Sequence, residues 1–182
     1  MALTPTIAFS KTRPPEDGVR VVLTDDVSAL PGLVGEALAE QVRRAAEAAK
    51  FKAKLLSSVE ILAPSGSTLD KLVVVGIKGD KAVGEEDWLK IGGTILARTK
   101  GASGVSVVAT AASPDAVAGM AEGAVLRAYD FDLYKSKKSK DDAEGEAPKQ
   151  DAPATITFHV GDEEASRACL LYTSPSPRDL ST

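Results

Sequence analysis

Apolar and polar positions along the chain change period several times. Thr4–Phe9 and Val19–Leu23 are short runs rich in β-branched and apolar residues, which predict strands. Pro14, Pro15 and Gly18 mark the turn between them. From Pro31 onward the period changes. Val34, Leu38, Val42, Ala45, Ala46 and Ala49 recur at helical spacing and form one apolar stripe. Pro31 suits the first residue of that helix, and Glu40 and Arg44 are spaced for a surface ion pair. Leu55–Ala63 alternates as a strand does, and Pro64, Ser65 and Gly66 turn the chain.

Leu72–Val75 is a continuous apolar run, as expected of a central strand buried on both faces. Gly76 and Gly79 end it. Glu85, Glu86 and Asp87 form the acidic first turn that a helix dipole favours. Trp88, Ile91, Ile95 and Leu96 follow on one face, and Gly101 stands where a C-terminal cap belongs. Val105–Ala109 is the next strand. Ser113 and Pro114 then read as an N-cap and a first-turn proline. Val117, Ala121, Ala124 and Ala128 line a helix face of small side chains that allows close approach to a neighbour, and this helix runs out near Tyr129–Phe131.

From Lys135 to Asp151 ten of seventeen residues are charged and none is a large apolar residue, which predicts a mobile loop. Ala154–Val160 resumes as a strand, and Asp162 is placed to cap a further helix. The alternation predicts an α/β domain with helices packed on a mixed sheet.

The chain has 182 residues and a mass of 18.9 kDa, which suits one domain. With aromatics at 4%, the core must be built from Val, Leu, Ile and Ala. The net charge of −4 and pI near 5.1 argue against non-specific nucleic-acid binding by the whole surface. No apolar run is long enough for a membrane span, and the N-terminus lacks the apolar stretch of a secretory signal. One Cys fits a reducing cytoplasm. One His and one Cys cannot build a Cys/His zinc cluster, and a Ser-His-Asp triad would have to use His159. In its predicted strand, His159 reads as a structural residue.

Three stretches together resemble the N-terminal domain of the leucyl aminopeptidases, the cytosol aminopeptidase family. They are Leu69-Asp-Lys-Leu-Val-Val-Val-Gly-Ile-Lys78, Trp88-Leu-Lys-Ile-Gly-Gly93 and Ala121-Glu-Gly-Ala-Val-Leu-Arg-Ala-Tyr-Asp-Phe-Asp-Leu-Tyr-Lys135. The last carries a small-residue run, then Tyr129 and Phe131, then Tyr134 and Lys135 before a basic loop. The resemblance implies a macro-domain-like α/β fold over residues 1–168. It implies a cytoplasmic, hexameric parent whose separate C-terminal domain removes N-terminal residues from peptides. Two divalent metal ions, manganese or zinc, do this work there. The N-terminal domain contributes to assembly, and some bacterial members bind DNA.

The catalytic signature of that family, Asn-Thr-Asp-Ala-Glu-Gly-Arg, is absent, so this chain should have no catalytic or metal-binding residue of its own. Asp142-Ala143-Glu144-Gly145-Glu146 echoes part of it inside the charged loop, where ligands would have no rigid support. Cys169–Asp179 has no structural period and resembles an in-frame translation of a sequencing adapter, so residues 169–182 are set aside as a tail.

Two further readings stay open. One is a free-standing macro-like module for a nucleotide or ADP-ribose-type ligand, with Gly76-Ile-Lys-Gly79 cradling a phosphate through backbone N–H groups, although turn chemistry explains the same glycines. The other is a DNA-contacting module using Lys135, Lys137, Lys138 and Lys140, whose charge nearby acidic residues offset.

Overall fold

The computed structural model describes residues 5–79, 82–128 and 155–167. The elements in order are β1 (Thr6–Ser10), β2 (Asp17–Thr24), α1 (Leu30–Val34), α2 (Glu36–Ala48), β3 (Ser58–Leu62), β4 (Thr68–Gly76), α3 (Glu85–Arg98), β5 (Gly104–Val108), α4 (Pro114–Ala128) and β6 (Thr155–His159). They build a six-stranded sheet in the order β1-β6-β5-β2-β4-β3. All pairings are parallel except β3 with β4. The predicted α/β class and mixed sheet are therefore what the chain forms.

Strand alternation sorts the core into two layers. Val21, Val73, Val75, Val107, Ile156 and Phe158 pack under α3 and α4. Val22, Leu72, Val74 and Val59 face the opposite way, under α1 and α2 with Leu38 and Val42. Leu72 through Val75 have no exposed surface, as the apolar run implied. Yet β4 is next to the edge rather than central. Helices on both faces bury it, with β3 as the outer strand. Phe9 and Phe158 face each other in register and stack at 6.0 Å.

The expected single helix from Pro31 is two. Gly35 has φ 86°, outside the helical region, and breaks it into α1 and α2. The expected Glu40–Arg44 pair is replaced by Glu40 with Arg43. Arg43 Nη2 lies 2.6 Å and Nε 3.0 Å from the Glu40 carboxylate, and Arg43 also reaches Glu47. This fork spends both Glu40 oxygens on one partner.

The strand predicted from Leu55 begins only at Ser58, because Leu56 takes φ 63° in a turn. α3 ends before Gly101. Thr99 caps it, its Oγ1 donating to the Ile95 carbonyl at 2.8 Å, and Gly101 serves the next turn. Ser113 caps α4 as predicted, its Oγ accepting from the Ala116 amide at 3.3 Å. Asp162 caps a helical turn over 163–167 in the same way, through the Ala165 amide at 3.1 Å.

The charged stretch 135–151, the aromatic pair Tyr129 and Phe131, and the tail 169–182 lie outside the described residues.

Candidate functional site

In a doubly wound sheet, ligands bind at the carboxyl ends of the strands, where connections leave for opposite faces. Here that point lies between β2 and β5. The chain leaves β2 toward α1 and α2 on one face, and leaves β5 toward α4 on the other. Gly76–Gly79, the candidate phosphate cradle, follows β4 at the same edge.

The backbone closes that edge. The Gly76 amide donates to the Ser57 carbonyl at 2.8 Å, Ile77 to Thr24 at 2.9 Å and Lys78 to Ala53 at 2.9 Å. The Leu55 amide in turn donates to the Lys78 carbonyl at 2.7 Å, and Leu56 to Gly76 at 3.1 Å. Three N–H groups that a phosphate would need are thus already committed. Space is committed as well. A Cβ on Gly76 would stand 2.3 Å from the Lys54 carbonyl oxygen, so the glycine serves the close approach of the 53–57 segment. That segment is costly to hold. Ala53 and Leu56, like Lys50 before them, sit at positive φ, a region costing about 1 kcal/mol or more for a residue with a Cβ. Of the two readings of Gly76-Ile-Lys-Gly79, the turn is what the structure contains.

His159 ends β6 at this same edge, between Ser10 of β1 and Val108 of β5. It is 3% exposed. Its Nδ1 lies 2.8 Å from the Thr12 carbonyl oxygen, which can only accept, so Nδ1 carries the proton. In a catalytic triad a carboxylate would occupy that position and orient the ring. Here the ring ties the 11–13 segment to β6, and Nε2 is buried with no partner among the described residues.

No group of three or more His, Cys, Asp or Glu converges among the described residues. The described residues therefore supply no ligand set for a two-metal centre. Among them, also, no helix is long and apolar enough to cross a membrane. Lys135, Lys137, Lys138 and Lys140, and the acidic Asp142–Glu146 echo, fall outside the described residues.

The other stretches singled out in the sequence are spent on packing. α3 and α4 lie side by side and parallel, backbone against backbone. A Cβ on Gly92 would stand 2.0 Å from the Met120 carbonyl oxygen, and one on Gly123 would stand 2.0 Å from that of Leu89. Gly119 faces the Trp88 Cβ at 3.0 Å. Trp88-Leu-Lys-Ile-Gly-Gly93 and Ala121-Glu-Gly are thus two halves of one helix seam. Outside this seam lies an open groove of about 730 Å³. Leu89, Gly93, Ala97, Gly123 and Leu126 contribute to its lining, and Leu126 is 60% exposed.

A family profile described as "Cytosol aminopeptidase family, N-terminal domain" matches residues 21–138, which include all three stretches. The chain belongs to the cytosol aminopeptidase family. It corresponds to the family's N-terminal domain.

Probable cytosol aminopeptidases from Rhizobium rhizogenes and Agrobacterium fabrum are 38% and 33% identical over 166 residues, 88% of this chain and 33% of theirs. One from Brucella ovis is 33% identical over 173 residues, 92% of this chain and 34% of its own length. The chain therefore spans about one third of the curated relatives it matches. A solved structure of a tomato leucine aminopeptidase mutant superposes with a TM-score of 0.61 at 15% identity, over 91% of this chain and 34% of that one. At that identity the likeness is one of fold.

Sequence reasoning missed the 50–57 segment that closes the strand ends. Its only trace is the alternation in Lys50-Phe51-Lys52-Ala53-Lys54, where Phe51 and Ala53 are buried and the lysines exposed.

Proposed function

We propose that this domain is the non-catalytic N-terminal part of a cytoplasmic aminopeptidase that removes N-terminal residues from peptides. The parent would hold two divalent metal ions, manganese or zinc, in its C-terminal domain, and the present domain would serve assembly of a hexamer. The observation that carries the reading is the match over residues 21–138, together with relatives three times as long. The committed amides at Gly76, Ile77 and Lys78 speak against a free-standing nucleotide or ADP-ribose module.

A chimera tests this. Residues 1–167 of this chain replace the N-terminal third of the Rhizobium rhizogenes relative. Oligomeric state is read by light scattering, and leucyl-substrate hydrolysis is followed with manganese or zinc. The expected result is a hexamer that cleaves, while the 182-residue chain alone releases no leucine. A folded but monomeric chimera sinks the assembly role. Leucine release by the 182-residue chain alone sinks the non-catalytic one.

A further inference from the structure

The segment that closes the strand ends also displays charge. Lys50, Lys52, Lys54 and Lys78 are all exposed. Lys54 and Lys78 are paired across an isolated parallel bridge, which sets two like charges side by side. Phe51, 9% exposed, and Ala53, with no exposed surface, anchor the segment from below. Backbone hydrogen bonds Phe51 to Ala46, Leu55 to Lys78 and Lys78 to Ala53 hold it rigidly.

Two nearby acids are engaged with other groups, and Asp80, two residues from Lys78, lies outside the described residues. Glu47 accepts from Arg43 at 2.5 Å. Asp26, whose carboxylate feels the charge of Lys78, accepts from the Ser28 amide at 3.0 Å and the Ser28 hydroxyl at 2.5 Å. None of the four lysines has an ion-pair partner among the described residues. The fold thus accepts left-handed backbone at Lys50 and Ala53, and a like-charge pair, on a strip that displays four cations with no ion-pair partner among the described residues, in a chain of net charge −4.

We propose that Lys50, Lys52, Lys54 and Lys78 form a docking strip for a short, carboxylate-rich peptide segment of a partner protein. Ammonium groups are point charges that take monodentate carboxylates without the bidentate geometry an Arg fork imposes. Phe51 is buried, so the strip offers no aromatic platform on which a base could stack. A long nucleic acid would also meet the repulsive field of the whole acidic chain, while a short peptide meets chiefly the strip.

The test uses the full 182-residue chain and a fluorescein-labelled oligoglutamate peptide, read by anisotropy at low salt. Saturable binding is expected, falling steeply as salt rises from about 0.05 to about 0.5 M. Lys52→Gln and Lys54→Gln singly should each weaken it about twofold to fivefold, and the triple variant with Lys78→Gln roughly tenfold or more. A Lys11→Gln, Lys100→Gln control should bind as the parent does. If the triple variant loses its circular dichroism signal, the two single variants decide. Absence of saturable binding overturns the proposal, as does equal loss in the control. Tighter binding of a labelled oligonucleotide or of tripolyphosphate than of oligoglutamate overturns the choice of partner.

Discussion

Gly92 and Gly93 are neighbours in the chain, yet adding one methyl group to each should have opposite effects. At Gly92 the new Cβ would stand 2.0 Å from the Met120 carbonyl oxygen, 2.7 Å from its carbon and 2.9 Å from its Cα. Ordinary contact begins near 3.4 Å, so α3 and α4 would have to part by about 1.4 Å. No side chain can rotate to absorb this, because the obstacle is backbone. α3 cannot lift freely either, since Ile91, Ile95 and Leu96 are fully or almost fully buried under it. Overpacking of this kind costs about 3 kcal/mol. Ala is the better helix former by about 1 kcal/mol, which leaves a net loss of about 2 kcal/mol for Gly92→Ala.

At Gly93 the nearest atom to the new Cβ is the Arg127 Cβ at 3.7 Å, ordinary contact. Gly93→Ala should therefore keep only the propensity gain and stabilise by up to about 1 kcal/mol. Urea unfolding of both variants, followed by far-ultraviolet circular dichroism, measures the difference at unchanged m-value. In heat the Gly92 variant should melt roughly 4–8 °C below the parent. A Gly92→Ala chain as stable as the parent, or a Gly93→Ala chain equally damaged, would refute the backbone seam.

Three further outcomes are expected. Glu60 lies 2.5 Å from Lys71 and 3.3 Å from Arg98, with its side chain only 29% exposed. Glu60→Ala should cost about 1 kcal/mol at low salt and less as salt screens the pair, and a loss independent of salt would count against the ionic origin. Hydrogen bonds from Ser28 hold the Asp26 carboxyl below its ordinary value. Its contribution is therefore complete above the ordinary carboxylate range and is lost as pH falls through the lowered folded value. Asp26→Asn should flatten the acid limb of the stability profile, and Ser28→Ala should raise the Asp26 titration seen by NMR; a titration unmoved by Ser28→Ala would remove the assigned cause. Ser113→Ala should cost about 1 kcal/mol through the lost α4 cap, and an unchanged midpoint in urea would show that the cap contributes nothing.

Much of the domain was legible because its local signals agree with one another. The apolar stripe from Leu38 to Ala46, the buried run Leu72–Val75 and the Ser113 cap each specify an element through interactions within a few residues. The family was legible from three short stretches, all inside the matched span. What those stretches do was not legible. Gly92 and Gly93 look alike in sequence, and only the approach of α4 separates a glycine that must remain from one that need not.

The sequence by itself determined which segments are strands and helices and which faces of them are apolar, because hydrophobic period and capping act over one or two turns. Tertiary structure decided the rest. It inserted β6 between β1 and β5, so that strands far apart in the chain are neighbours. It also folded the 53–57 segment onto Gly76, so that amides which could have met a phosphate meet carbonyls instead. Such pairings depend on which distant backbone groups arrive at the same place. A buried N–H must find a partner, but no local pattern names the partner it finds.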